Sequence, residues 1–266
     1  MFNADAKTLQ RIAAEMQRVL IVDAQPAGAK LLSELLRDIC LCQIWTASDA
    51  RRGLALAERT QPHVVFIEQC AGVSGVVFTR DLRRSDFGCR KAPVVLIAAE
   101  ATASAILGAR DAGVHEFLRK PYTIKDLMRR LEAVILRPRD WVEGVGYVGP
   151  DRRRFNSGDY SGPLKRRVDH AQTPAGARIV QALKILKAAI AAIEADPRQA
   201  LRAMLAQVDE LSRAATDPKL GAAALALGRR LRGADPAALR RADLEPLMSE
   251  LWDYLPTAEA GRSAAA

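Results

Sequence analysis

The sequence predicts an α/β protein with a doubly wound, five-stranded parallel sheet, followed by a basic linker and a small all-α C-terminal domain. Runs of β-branched residues and leucine alternate five times with amphipathic segments in the first half of the chain. Continuously apolar strands separated by helices are typical of parallel sheets that are covered on both faces. Beyond residue 175 the sequence is almost entirely helix-forming, and aromatic residues make up only 5% of the chain, which argues against an all-β fold.

The elements follow in order along the chain. Apolar residues recur at helical spacing between residues 4 and 17, which predicts a short helix before the first strand. The predicted strands are 18–22, 42–47, 63–67, 93–97 and 115–118, and the helices after them are 27–39, 49–60, 75–84, 102–112 and 123–136. We divide the chain into an N-terminal helix (1–17), an α/β domain (18–138), a Gly/Pro/Arg-rich linker (139–174), a helical bundle (175–258) and a disordered tail (259–266).

Asp-Pro pairs divide the C-terminal region into four predicted helices. Each pair places a capping residue before a proline suited to the first helical turn: Asp196-Pro197, Asp217-Pro218 and Asp235-Pro236. We expect Pro246 to interrupt the last helix near its start. The apolar stripes of these helices predict a bundle core. The best candidates for a partner surface are Leu251, Trp252, Tyr254 and Leu255.

Charge, cysteines and hydropathy narrow the class of protein. The net charge of +9 is a mild excess, so its placement matters more than its size. The four cysteines lack metal-ligand spacing, and we expect them to be reduced and mostly buried. No apolar run approaches the roughly 20 residues that span a bilayer, and the N-terminal segment has no signal-peptide core. We therefore expect a cytoplasmic protein that does not bind membranes.

A short repeat lies in the predicted linker. The sequence Tyr147-Val-Gly-Pro-Asp-Arg-Arg-Arg154 recurs thirteen residues later as Tyr160-Ser-Gly-Pro-Leu-Lys-Arg-Arg167. In one interpretation the cations bind a nucleotide, such as a cyclic dinucleotide, or a nucleic acid. In the other, Tyr147 and Tyr160 hold the linker on the α/β domain, and the cations stay solvated or pair with Asp151, Asp159 and Asp169. The cations are Arg152, Arg153, Arg154, Lys165, Arg166 and Arg167.

Functional side chains of doubly wound sheets gather at the carboxyl ends of the strands. Those positions hold Asp23, Glu68, Ala98 and Lys120. The segments that carry them, Val-Leu-Ile-Val-Asp23, Gln61-Pro-His-Val-Val-Phe-Ile-Glu68, Ala92-Pro-Val-Val-Leu-Ile-Ala98 and Gly113-Val-His-Glu-Phe-Leu-Arg-Lys120-Pro121, follow one another at a characteristic spacing. With this order and spacing, residues 18 to about 136 resemble the receiver domain of bacterial response regulators. The resemblance implies a flavodoxin-like (CheY-like) fold.

In active members the resemblance also implies a phosphate-accepting Asp, an acidic pair that holds Mg²⁺, a Ser or Thr, and a Lys. This sequence keeps Asp23 and Lys120, and Phe117 fills the aromatic switch position. However, Ala24 replaces the second acid, Glu68 replaces the acceptor and Ala98 replaces the hydroxyl residue; the loop from Gln69 to Gly75 is also one residue short. We expect no cofactor, Mg²⁺ binding weakened or lost with only residual ligands in Asp23 and Glu68, and no phosphorylation. Either Glu68 pairs with Lys120 and locks one conformer, or the pocket has simply decayed.

These features predict a non-enzymatic, atypical response regulator that acts by protein–protein interaction. Its face around Phe117, Tyr122 and the last helix of the α/β domain is expected to bind a sensor kinase, another regulator or the chain's own bundle. A homodimer is a further possibility. The alternatives are a nucleic-acid or cyclic-dinucleotide binding regulator that uses the arginine-rich linker, and an active phosphoreceiver of a two-component system. The three histidines, His63, His115 and His170, all precede the bundle, so the bundle is not a histidine phosphotransfer module.

Overall fold

The computed structural model describes residues 6–152 and 174–255. The chain divides into two compact units. The first comprises residues 1–142 and 147–154, and the second comprises residues 143–146 and 155–266. The predicted tail at 259–266 lies outside the described residues.

The first unit is a five-stranded parallel sheet with the strand order β2-β1-β3-β4-β5, which confirms the predicted fold. The predicted elements recur with bounds shifted by at most two residues, except at the last helix, which ends at Leu131 and continues as a π-helical turn, Glu132–Leu136. The elements are α1 (Ala6–Glu15), β1 (Arg18–Val22), α2 (Pro26–Ile39), β2 (Gln43–Ala47), α3 (Ala50–Thr60), β3 (Val64–Gln69), α4 (Gly75–Arg84), β4 (Val94–Ala98), α5 (Ala103–Asp111), β5 (Glu116–Arg119) and α6 (Ile124–Leu131).

Alternate residues of each strand enter two separate cores. Val19 and Ile21 of β1 face one core, which α1, α2 and α6 cover. Leu20 and Val22 face the other, which α3, α4 and α5 cover. Because both faces of every central strand are buried, the strands read as continuous apolar runs in the sequence.

The predicted linker begins with ordered structure. The strands β6 (Trp141–Glu143) and β7 (Val148–Pro150) pair with each other. The prediction of an irregular linker over 139–174 is therefore wrong in its first part. The two strands were missed because three residues are too few to show the alternation that indicates a strand. Residues 153–173 lie outside the described part of the chain.

The second unit is a set of helices around one core of leucine, alanine, isoleucine, methionine and valine. Its helices are α7 (Pro174–Ala191), α8 (Pro197–Ala214), α9 (Pro218–Leu231) and α10 (Arg241–Trp252). Asp196 and Asp217 cap α8 and α9 as expected, by accepting the Gln199 and Lys219 N–H groups. Gly228 lets α9 approach α8 closely, since a Cβ there would lie 2.9 Å from Val208.

Three expectations for the end of the second unit need correction. Asp235 caps only a 3₁₀ turn, Pro236–Ala238, and the last helix begins at Arg241. Pro246 is the sixth of the twelve residues of α10, and the helix continues past it to Trp252 although a proline there removes one backbone hydrogen bond of the ladder. Leu251 is fully buried, and the predicted surface residues Trp252, Tyr254 and Leu255 pack partly against the core. Tyr254 also donates a hydrogen bond to Asp217.

Two further properties of the chain follow from the described residues. None of the described helices is long and apolar enough to cross a membrane. All four cysteines are free thiols; Cys40 and Cys89 are buried, and Cys42 and Cys70 are half-buried.

Candidate functional site at the carboxyl edge of the sheet

Asp23 is held at the carboxyl end of β1, where it is 7% exposed. Its backbone N–H donates to the Ala47 carbonyl at 3.0 Å, and its Oδ1 accepts the Gln25 N–H at 2.7 Å. The carboxylate also lies against the start of α2, where a Cβ on Gly28 would come within 2.5 Å of Oδ2. Gly28 therefore makes room for this carboxylate, which is fixed in place by its neighbours.

Glu68 lies one residue before the end of β3, and is 5% exposed. Its Oε1 accepts a hydrogen bond from the Lys120 ammonium, which lies 3.8 Å from Asp23 Oδ2. Lys120 therefore bridges both carboxyl groups, and the predicted Glu68–Lys120 pair is present. Glu68 Oε2 is buried and has no hydrogen-bond donor among the described residues.

The two carboxyl groups titrate differently. Burial and the neighbouring Glu68 carboxyl raise the pKa of Asp23 to about 6, against the opposing effects of the Gln25 amide and Lys120. Burial also acts to raise the pKa of Glu68, but hydrogen bonds from Asp23 and Lys120 outweigh it and lower that pKa. As the pH falls, Asp23 therefore takes up a proton before Glu68, and the Glu68 carboxylate keeps the negative charge that faces Lys120.

Two positions that would complete a phosphorylation site hold alanine in this chain: Ala24 has no carboxylate, and Ala98 has no hydroxyl. Ala24 follows Asp23 at the surface, and the loop after β3 approaches it, with a Cβ on Gly72 3.7 Å from the Ala24 methyl. Ala98 ends β4 as a buried methyl group, and its carbonyl accepts the Lys120 N–H at 2.8 Å. The edge of the sheet thus offers two carboxyl groups that an ammonium already bridges.

This arrangement does not fit Mg²⁺. The ion requires near-octahedral oxygen coordination, with one or two carboxylates free to face it. Here the Lys120 ammonium occupies the space between Asp23 and Glu68. Within residues 6–152 and 174–255, no cluster of three or more His, Cys, Asp or Glu side chains is placed to hold a metal.

The predicted switch residues lie beside the site on β5 and the loop after it. Phe117 is half-buried and packs against the core under α3, α4 and α5. Tyr122 is half-buried against the opposite core. The helix that leads into β5 exposes two large apolar side chains, Ile106 (38% exposed) and Leu107 (47% exposed).

The first copy of the repeated motif is folded onto the first unit. Tyr147 is buried, and its hydroxyl donates to the Pro150 carbonyl at 2.6 Å. The Arg152 guanidinium lies 4.0 Å from the centre of the Tyr147 ring and binds Asp111 at 2.8 Å. Arg152 therefore pairs with Asp111 rather than with Asp151. The other predicted anion-binding residues, Arg153, Arg154, Lys165, Arg166 and Arg167, lie outside the described residues, as do Tyr160, Asp159 and Asp169.

Arg83 is a central residue that the sequence analysis did not single out. It is 1% exposed and donates to the carbonyls of Gly113, Arg90 and Ala92 at 2.7–3.1 Å. It also contacts His115 Nδ1 at 3.0 Å, and its guanidinium carbon lies 5.3 Å from the Trp141 ring centre. The helical spacing could have indicated that Arg83 is buried. It lies four residues after the buried Thr79, on the apolar face of α4.

Comparisons with known proteins cover the first unit. A sequence model of the response regulator receiver domain matches residues 19–132. A probable chemotaxis protein CheY of Rhizobium etli is 29% identical over 122 residues, or 46% of this chain and 94% of that protein. A probable transcriptional regulatory protein, TcrX of Mycobacterium tuberculosis, is 29% identical over 130 residues, or 48% of this chain and 54% of that protein. Among solved structures, the chemotaxis protein CheY4 of Vibrio cholerae is 23% identical, with a TM-score of 0.42, and the match covers 45% of this chain and 98% of that one.

Proposed function

We propose that this chain, whose residues 19–132 are a response regulator receiver domain, acts in signal transduction by protein–protein interaction and does not accept a phosphoryl group. The observation that carries the proposal is the bridge from Lys120 to Glu68 and Asp23. The pocket is held in one arrangement by its own charges, and the signal would pass through the binding of partners.

The chemistry of phosphoryl transfer supports this proposal. Transfer depends on positioning and on neutralising charge at the phosphoryl oxygens, for which a metal ion is the main device. The side chain of Glu68 is one methylene longer than an aspartate, and its Oε1 already accepts the ammonium that would otherwise contact the phosphoryl group. Ala98 cannot supply a hydroxyl. We propose that the chain is not an enzyme and needs no cofactor.

The proposed partner is a sensor kinase or another regulator, encountered in the cytoplasm. The helix α5 supports a protein partner, because Ile106 and Leu107 present apolar surface on the helix that precedes the strand that carries Phe117. Aliphatic and aromatic side chains of this kind act as anchors in protein interfaces. Nucleotide binding by the linker is less well supported, since Arg152 is already bound to Asp111 and stacked on Tyr147.

Intact mass after incubation with a small phosphodonor and Mg²⁺ tests the proposal. We expect the mass of the wild-type chain to stay unchanged, because neither the metal nor the acceptor geometry is available. A matched control restores the three missing groups by the substitutions Ala24→Asp, Glu68→Asp and Ala98→Thr, and is expected to gain one phosphate. A stable adduct on Glu68 or Asp23 of the wild-type chain would overturn the proposal.

A further inference from the structure

The first copy of the motif occupies a groove on the receiver domain that is shaped for it. We call this the motif groove and define it by Asp111, Gly113 and Arg83. A Cβ on Gly113 would lie 2.6 Å from the Val148 carbonyl, and a Cβ on Gly149 would lie 2.7 Å from the Gly113 Cα. Neither glycine leaves space for a side chain, so the two backbones meet directly.

Each residue that fixes the motif has a defined contact. Tyr147 is buried and closes the turn by donating to the Pro150 carbonyl. Gly149 provides the close approach to Gly113. Arg152 stacks on the Tyr147 ring and pairs with Asp111 at the rim. The tyrosine, the glycine and the cation of the motif therefore fix its position, and the proline supplies the carbonyl that closes its turn.

The second copy of the motif repeats all four of these positions. Tyr160, Gly162, Pro163 and Lys165 stand at the same spacing as Tyr147, Gly149, Pro150 and Arg152. The two copies differ where the first has Val148 and Asp151, and the second has Ser161 and Leu164. Val148 is buried in the groove, so a serine there gives up apolar contact, and lysine pairs with a carboxylate less specifically than arginine does. We therefore expect the second copy to bind such a groove more weakly than the first.

We propose that the motif groove is a peptide-binding site for the sequence Tyr-x-Gly-Pro-x-Arg/Lys, and that the second copy in the same chain competes with the first for it. The two copies are tethered only thirteen residues apart, which gives the second copy a high effective concentration at the groove. The first copy wins in the wild-type chain because it has Val148 and Arg152. Any change that weakens the first copy transfers the groove to the second.

Amide hydrogen exchange on the full chain tests the competition. The variant Arg152→Ala removes the rim contact of the first copy at a half-exposed surface position, so the fold is preserved. We expect the amides of residues 148–151 to exchange about tenfold faster than in the wild type, and those of residues 161–165 to exchange about tenfold slower.

Two double variants identify the cause of any slowing. Adding Gly162→Val to Arg152→Ala places a side chain where the groove has no space, and is expected to return residues 161–165 to the wild-type rate. Adding Gly158→Val, which lies in the same segment but outside the motif, is expected to change nothing. The proposal is overturned if residues 161–165 exchange equally in the wild type and in Arg152→Ala, or if their slowing survives Gly162→Val. Slowing that occurs only at high protein concentration would assign the groove to another copy of the chain and overturn competition within one chain.

Discussion

At the scale of single residues, one ammonium group bridges the two buried carboxyl groups of the receiver pocket. Asp23 and Glu68 are buried side by side, and two ionised carboxylates in that position repel each other. Lys120 offsets one negative charge. Burial and the neighbouring Glu68 carboxyl raise the pKa of Asp23 to about 6, so a proton offsets the second charge only below about that pH.

The substitution Asp23→Asn tests this charge balance. The pKa of Asp23 is raised to about 6, so its contribution to stability is complete below its unfolded pKa, near 3.9, and is lost as the pH rises through about 6. An amide cannot ionise, yet it can still accept the Gln25 N–H. We expect thermal unfolding to show the variant more stable than the wild type at pH 8, with the difference shrinking below pH 6.

A second carboxyl group provides the control for the pH dependence. Asp49 is partly exposed, and its pKa is lowered mainly by the Arg52 N–H at the start of α3. Its stabilising contribution is present above the unfolded pKa and is lost as the pH falls, so Asp49→Asn has no reason to stabilise the protein at pH 8. A variant Asp23→Asn that is less stable than the wild type at pH 8 would contradict the raised pKa of Asp23.

Arg83 is the second residue whose contacts predict a measurable loss of stability on substitution. Replacing it by methionine keeps the apolar stem but leaves the carbonyls of Gly113, Arg90 and Ala92 without their donor. Each buried polar group left unpaired costs about 1–3 kcal/mol, so we expect Arg83→Met to lower the free energy of unfolding by about 3 kcal/mol or more. Urea unfolding monitored by the exchange of the β4 amides measures this loss. The control Arg80→Met, exposed on the same helix, is expected to change stability by less than about 0.5 kcal/mol.

At the scale of elements, the turn between α5 and β5 requires a glycine at position 113. Gly113 has a φ of +91°, and a Cβ there would meet the Val148 carbonyl at 2.6 Å. We expect Gly113→Ala to destabilise the first unit by more than about 1 kcal/mol, and to release β7 first. Gly108, inside α5, has no neighbour within 4 Å of an added Cβ, so Gly108→Ala is expected to stabilise by about 0.5–1 kcal/mol. Thermal unfolding distinguishes the two, and equal effects would refute the role of the Gly113 turn.

Periodicity explains which elements could be predicted from the sequence. The central strands are buried on both faces, so an apolar run predicted β1 with the observed bounds. The amphipathic segment after the third strand predicted α4 with the observed bounds. The pocket residues could be predicted because each lies at the carboxyl end of such a strand. The short pair β6 and β7 carries no periodic signal, and its stability comes from Tyr147 and Gly149, whose contacts are made with residues distant in the sequence. Arg83 was missed for a related reason: a cation on an apolar helix face becomes favourable only where carbonyls from other segments converge on it.

At the scale of the whole molecule, the two units have separate cores in the described part of the chain. The clusters on the two faces of the sheet contain only residues of the first unit. The cluster of the second unit consists of residues from α7 to α10 and the turn after α9, with Val145 packed against it. Leu227 is fully buried in this cluster, and Leu96 is nearly so in the sheet. A substitution in one core therefore removes packing that the other core does not use.

Leu227→Ala and Leu96→Ala form a matched pair that tests this separation. Each removes the same atoms from a buried leucine, and we expect a loss of about 2–5 kcal/mol in the unit that carries it. Amide exchange should accelerate in α8 and α9 for Leu227→Ala, and in β3 and β4 for Leu96→Ala, because each cavity weakens only its own cooperative unit. Acceleration of both regions by either variant would show that the chain unfolds as one unit. A single stability value would then describe the molecule, whereas separate responses require two.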